Sequence, residues 1–112
     1  MKFTVFTPTF NRKELLEKLY KSLQKQTYID FEWLIVDDGS TDGTGEKVKE
    51  FLEESKLDIK YFYKENGGKQ RAYNFATDKA NGELFICLDS DDEYVENGLE
   101  TILKYWEKYE KN

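Results

Sequence analysis

Leu84-Phe85-Ile86-Cys87-Leu88-Asp89-Ser90-Asp91-Asp92 is an apolar run that ends in three carboxylates within four residues. Five consecutive residues without a charge predict a strand covered on both faces, as in the middle of a parallel sheet, because a strand with one wet face alternates. The acids then stand at its carboxyl end. Three like charges so close repel one another and hold protons more tightly unless a cation sits among them, so the cluster invites a divalent ion. Oxygen donors alone suit Mg2+ or Mn2+, hard ions that keep several waters and share one or two carboxylates with substrate phosphates. Two other readings compete. Acids after a strand also cap the next helix or solvate a turn. A calcium loop would place Asp89, Asp91, Glu93 and Glu100 at its positions one, three, five and twelve, but Tyr94 stands where its sharp turn needs glycine.

The chain has 112 residues, the size of one small domain with a single core, and the whole of 1–112 is expected to form it. Charged residues make up 36% and aromatic residues 16%, a globular composition. With 17 Lys and Arg against 23 Asp and Glu, the net charge of -6 argues against a nucleic-acid surface, and a bound anion needs local positive charge. No apolar run approaches the roughly 18 residues of a membrane span, and Met1-Lys2-Phe3 leads straight into a strand with no signal-peptide pattern. Cys87, the only cysteine, falls inside the apolar run, so no internal disulfide forms and a reduced, cytoplasmic compartment is expected. The absence of histidine excludes Ser-His-Asp and Cys-His catalysis and histidine-based zinc sites within this chain.

Working back to the amino terminus, Phe3 to Thr7 is rich in β-formers and is predicted to stop at Pro8, which has no N–H for a ladder. Asn11, three residues before Glu14, suggests a capping box, with Leu15, Leu16, Leu19 and Leu23 at helical spacing behind it. Phe31 to Val36 is a second strand, ending in Asp37-Asp38-Gly39-Ser40-Thr41-Asp42-Gly43-Thr44, a run of turn formers and helix caps. Val48, Phe51 and Leu52 mark the inner side of a second helix. Ile59 to Tyr63 is a third strand, broken by Glu65-Asn66-Gly67-Gly68. A third helix follows from about Lys69, with Ala72, Ala76 and Ala80 on one face and Gly82 as its stop. After the acidic strand, Val95, Leu99, Ile102, Leu103 and Trp106 form the apolar side of a fourth helix.

Four strand-helix alternations predict an α/β fold, a Rossmann-like parallel sheet of about four strands with helices on both faces and right-handed crossovers. If the first three strands step outward and the fourth returns beside the first, the order is 3-2-1-4. Ligands then bind at the carboxyl edge, near the reversal between strands one and four. Thr7-Pro8, Asp37-Asp38 and Asp89-Ser90-Asp91 all arrive there. Carboxylates at such a crevice can accept from a base N–H, bind ribose hydroxyls and hold a metal against a diphosphate. Lys69 and Arg71, opening the third helix after a double glycine, supply cations and free backbone N–H groups at the same edge. Taken singly, those two cations also fit a solvated helix surface, and the glycines a plain turn.

Phe6-Thr7-Pro8-Thr9-Phe10-Asn11-Arg12, the Val36 to Thr44 run, Asn66-Gly67-Gly68 with the alanine-rich helix, and Gly82-Glu83 before Leu88-Asp89-Ser90-Asp91-Asp92 together resemble family 2 glycosyltransferases of the GT-A fold. The resemblance spans nearly the whole chain. It implies the donor-binding half of an inverting enzyme that moves a sugar from a nucleoside diphosphate, UDP-sugar first, to an acceptor such as a polysaccharide or lipid. Mn2+ or Mg2+ would sit at the DxD motif. The Pro8–Thr9 backbone would line the nucleoside pocket, Asp38 would bind the base with Asp37 beside it, and Lys69 would supply a basic group. Asp89 would reach the ribose or the metal, and Asp91 would be the principal metal ligand. The acceptor site and general base would lie downstream, outside this chain, which leaves the catalytic residue unknown; the cytoplasmic expectation extends to a peripheral place at the inner face of the membrane. Two other classes stay open: a noncatalytic nucleotide-sugar-binding or interaction module, and a nucleotidyl or phosphoryl transferase on a similar sheet. The latter is disfavoured because no GxxxxGK[ST] loop exists. An uncharged fourth strand at a sheet edge also predicts a homodimer through that edge.

Overall fold

The computed structural model describes residues 3–27, 30–54, 56–65 and 69–88, together with Gly98, Glu100, Thr101 and Lys104. In chain order the elements are β1 (Phe3–Thr9), α1 (Lys13–Gln24), β2 (Phe31–Asp37), α2 (Thr44–Glu54), β3 (Asp58–Tyr63), α3 (Lys69–Lys79) and β4 (Leu84–Cys87). The four strands form one parallel sheet in the order β3-β2-β1-β4, as the alternation predicts. Gly98, Glu100, Thr101 and Lys104 are helical, while Val95, Leu99, Ile102, Leu103 and Trp106 of the expected fourth helix lie outside the described residues.

Strand period two divides the core between the faces. Phe3, Val5, Trp33 and Ile35 turn one way and pack with Leu16, Leu19, Tyr20 and Leu23 of α1 and Val48 and Phe51 of α2. On that side Tyr20 stacks on Phe51 with centroids 3.9 Å apart, and Trp33 lies 6.2 Å from each. Phe6, Leu34 and Val36 turn the other way, against Ala72 and Ala76. Those two small side chains let α3 approach the sheet closely. Each fully buried large apolar side chain contributes about 1.5–3 kcal/mol against the entropy of ordering the chain.

The amino-terminal edge of the sheet holds a buried charge. Glu32 is fully buried in β2. Its Oε1 accepts from Lys60 Nζ at 2.6 Å, and its Oε2 accepts from Thr4 Oγ1 at 2.5 Å and from the Asn81 N–H at 2.6 Å. Thr4 Oγ1 in turn accepts from the Gly82 N–H at 2.8 Å, so the turn before β4 is bound to the two central strands. Gly82 has no room for a side chain there, since a Cβ would overlap the Phe3 carbonyl carbon and the Thr4 amide nitrogen.

Several local expectations are corrected. β1 runs through Pro8, which pairs in register with Val36. Alternate residues of a parallel strand face alternate neighbours, and the Leu88 N–H donates to the Phe6 carbonyl at 2.8 Å, so Phe6 and Pro8 face β4. The Leu88 carbonyl accepts instead from Thr7 Oγ1 at 2.7 Å, which makes the missing proline N–H harmless. The capping box does not form. Arg12 occupies the N-cap of α1 without a side-chain cap, and Asn11 bonds to the loop after β2. Leu52 is 48% exposed, because α2 presents only Val48 and Phe51 to the core. Leu15 is half-buried, and Ala80 is half-buried just past the end of α3. β4 packs on both faces but only in part: Leu84 and Ile86 lie against the core on the α1/α2 side and Phe85 against that on the α3 side, all three half-buried, and Cys87 is exposed, because β4 stands at the end of the strand order among the described residues.

Candidate functional site at the carboxyl edge

β1 and β2 end side by side, with Thr9 opposite Asp37 as their last pair. The Asp38 N–H then donates to the Thr9 carbonyl at 2.9 Å, so the ladder continues one step into the loop. Pro8, Thr9, Asp37 and Asp38 are thus brought together, as expected. Thr9 is 4% exposed, and its hydroxyl has no hydrogen-bond partner among the described residues. A buried hydroxyl left so costs about 1–3 kcal/mol, a penalty that a bound polar group would relieve.

The two adjacent carboxylates have separate surroundings. Asp37 is fully buried, and its oxygens are engaged within the protein: Oδ1 accepts from the Ser40 N–H at 2.9 Å and Oδ2 from the Tyr61 hydroxyl at 2.6 Å. Burial first, then the hydrogen bond to the Asp37 carboxylate, pushes the Tyr61 hydroxyl well above the ordinary phenol range. Tyr61 therefore remains a donor. Asp38 is half-buried, one residue beyond the strand. Alternation directs Asp37 to the α1/α2 face, with Trp33 and Ile35.

Gly39 and Gly43 have φ of +91° and +90°, which turn the chain sharply out of β2 and into α2. Between them, Asp42 stands just before the first turn of α2, its Oδ1 accepting from the Thr44 N–H at 3.2 Å and from Thr44 Oγ1 at 2.5 Å, while the Gly43 carbonyl accepts the first helical bond from the Lys47 N–H. Its Oδ2 accepts from the Lys13 N–H at 3.1 Å, so one carboxylate serves the first turns of two helices. Burial opposes ionisation of Asp42, but the hydrogen bonds from Thr44 and Lys13 prevail and lower its pKa. Sequence reasoning placed turn formers and helix caps here; the second helix that Asp42 serves, like the role of Tyr61, depends on which loops and strands are neighbours.

Lys69 begins α3 beyond the end of β3, and Arg71 is exposed in its first turn. The Lys69 side chain, Asn66-Gly67-Gly68, Asp89 and Asp91 lie outside the described residues. Leu88, directly before Asp89, is buried in the cluster on the α1/α2 face, with its N–H on the Phe6 carbonyl. Among the described residues no three His, Cys, Asp or Glu side chains are grouped to hold a metal ion. Nor is any helix among them long and apolar enough to cross a membrane.

A parallel sheet in this order, with the acidic end of β2 beside the end of β1 at its carboxyl edge, is of the doubly wound α/β class, whose ligands bind along that edge. The family model for glycosyl transferase family 2 matches residues 4–112, and the chain belongs to that family. It is 40% identical over 105 residues to the GalNAc(5)-diNAcBac-PP-undecaprenol beta-1,3-glucosyltransferase of Campylobacter jejuni, a match covering 92% of this chain and 34% of that protein. Among solved structures, residues 1–349 of Staphylococcus aureus TarS in complex with UDP-GlcNAc superpose with a TM-score of 0.90 at 33% identity, covering 98% of this chain and 32% of that one. The mannosyltransferase PcManGT from Pyrobaculum calidifontis, in complex with GDP-Man and Mn2+, superposes with a TM-score of 0.88 at 31% identity, covering 94% of this chain and 32% of that one. The sheet is therefore that of the GT-A glycosyltransferases, and the chain spans about a third of the length of each of these relatives.

Proposed function

We propose that this chain is the donor-binding part of an inverting glycosyltransferase, taking a nucleoside-diphosphate sugar, UDP-sugar first, with Mn2+ or Mg2+. The observation that carries the reading is the junction of β1 and β2 at the carboxyl edge of the sheet, where Thr9, whose buried hydroxyl has no partner among the described residues, is tied to Asp38 just past β2, the strand next to the β1/β4 reversal. Asp38 accepts from the base, and the Pro8–Thr9 backbone forms the pocket wall. Asp37 contributes by holding the loop, because both of its oxygens are engaged. Lys69, at the start of α3, offers charge to the diphosphate.

Asp91, with Asp89, holds the metal; a set of carboxylate oxygens suits a hard divalent ion. When bound, that ion neutralises diphosphate charge beside an acidic edge. The complexes of relatives with UDP-GlcNAc and with GDP-Man and Mn2+ support this assignment. The acceptor site and general base are assigned to parts of a longer protein outside 1–112. The lipid-linked substrate in the Campylobacter relative's name favours a saccharide on a lipid as acceptor, met at the cytoplasmic membrane surface.

Calorimetric titration with UDP, GDP and dTDP, with and without Mn2+, tests the reading. UDP should bind in Mn2+ and at least tenfold more weakly in EDTA. Asp91→Asn should remove most of that metal dependence, whereas Asp38→Ala should weaken nucleoside binding in both conditions. Equal UDP affinity in EDTA and Mn2+ would show that Asp91 has been given the wrong role.

A further inference from the structure

We propose that Asn11 is a positioning residue that fastens the β1–α1 and β2–α2 loops into one preformed unit, so that Asp38 is set for the base before a nucleotide arrives. This rests on the reading of Asp38 as the base-binding carboxylate. The first observation is conformational: Asn11 has φ of +50°, and among the described residues it is the sole non-glycine with positive φ. Asparagine tolerates this left-handed region better than other side chains, yet the conformation is still unfavourable and persists only where its surroundings impose it.

Two hydrogen bonds impose it. The Asn11 N–H donates to Ser40 Oγ at 2.8 Å, and Asn11 Oδ1 accepts from the Thr41 N–H at 2.7 Å. One residue thus uses a backbone donor and a side-chain acceptor to hold two consecutive positions of the neighbouring loop. Its side chain is exposed and lies in neither core cluster, so hydrophobic packing does not explain the strain. On one flank Asp42 accepts from the Lys13 N–H, and on the other Asp37 accepts from the Ser40 N–H. Asp38 sits between them with its N–H on the Thr9 carbonyl. Five of the six residues from Asp37 to Asp42 are therefore tied, and Gly39 supplies the turn.

A surface loop of this kind would otherwise sample many conformations, and ordering it on binding would weaken affinity. Fastening it in advance removes that loss and fixes the direction of the Asp38 carboxylate, which favours discrimination between bases over affinity for phosphate. The consequence is a separation of effects: loss of the clamp should weaken recognition of the nucleoside and leave the diphosphate and metal contacts intact.

The test uses Asn11→Gly, which accommodates the positive φ but deletes the acceptor, and Ser40→Ala, which deletes the acceptor of the Asn11 N–H. Ser40→Thr retains that hydroxyl and serves as the rescue. Amide exchange comes first, without ligand. The Asp38 and Thr41 N–H groups should exchange at least tenfold faster in Asn11→Gly than in the wild type, with no change in β2; unchanged exchange would overturn the clamp, whatever the chain binds. Titrations in Mn2+ with UDP, CDP and inorganic pyrophosphate follow. Asn11→Gly and Ser40→Ala should each lose about tenfold in UDP affinity and narrow the UDP-to-CDP preference, with pyrophosphate binding and Tm little changed and Ser40→Thr close to wild type. UDP and pyrophosphate affinity falling together with Tm would reduce Asn11 to a structural residue. Failure of the wild-type chain to bind UDP would count against the donor-binding reading and remove the nucleoside role, while the exchange result would still decide whether the loops are fastened together.

Discussion

Glu32 shows how a charge is kept inside so small a sheet. Burial alone would raise its pKa, but the hydrogen bonds from Lys60, Thr4 and Asn81 more than offset that, and the value falls from 4.5 to about 2. A folded-state pKa below the unfolded one means that the unfolded chain takes up the proton first as the medium is acidified. The stabilisation is therefore complete above about pH 4.5 and is lost as pH falls towards 2. Urea denaturation across that range should show wild-type stability falling more steeply than that of Glu32→Gln. At pH 7 the variant should be less stable by about 2–4 kcal/mol, at the low end of the range for broken buried pairs because Lys60 is half-exposed. Equal acid sensitivity of the two proteins would mean that Glu32 does not anchor the turn before β4. The pattern of the sequence places an acid in a run of apolar residues at 32, but its partners come from positions 4, 60 and 81.

β3 does more than flank the sheet, since Tyr61 reaches across to Asp37 and supports the loop that follows β2. Tyr61→Phe should leave a buried carboxylate oxygen without its donor at a cost of about 1–3 kcal/mol. Chemical denaturation measures that cost, and a change below about 0.5 kcal/mol would mean that water replaces the hydroxyl at no expense. The helices were legible from their apolar spacing, as Leu16, Leu19 and Leu23 of α1 show. Their starts were less so. The expected box at Asn11 and Glu14 has the right residue types, yet the loop after β2 competes for the Asn11 side chain and wins it. Pro8 likewise remains in β1 because its missing N–H faces β4, at a point where Thr7 already occupies the Leu88 carbonyl.

The order β3-β2-β1-β4 leaves β4 paired on one side only among the described residues. Leu84, Phe85 and Ile86 are half-buried there, with no charge to discourage pairing. A second copy of this chain is the proposed occupant, joined edge to edge about a two-fold axis, since closed two-fold symmetry is the commonest arrangement. Light scattering coupled to size exclusion should show a concentration-dependent dimer, and Cys87→Lys, which charges the strand at its exposed residue, should return it to monomer. A monomer at every concentration, with fast amide exchange from Phe85 to Leu88, would rule the pairing out.

Sequence alone determined the α/β class and the parallel sheet, because apolar runs and helical spacing are local and right-handed crossovers leave few ways to connect them; the order 3-2-1-4 was expected on the condition that the fourth strand returns beside the first, which the structure met. Sequence also determined that Pro8, Thr9, Asp37 and Asp38 would meet, since strand ends in one parallel sheet share an edge. Tertiary structure decided how adjacent acids divide their work: Asp37 is turned inward to Ser40 and Tyr61, while Asp38 stands beyond the strand on the Thr9 carbonyl. It decided as well that Asn11 and Asp42 join two loops instead of serving only their own helices. Such hydrogen bonds link positions about 30 residues apart through short-range geometry, and no local pattern encodes which distant donor will lie within 3 Å of a given oxygen.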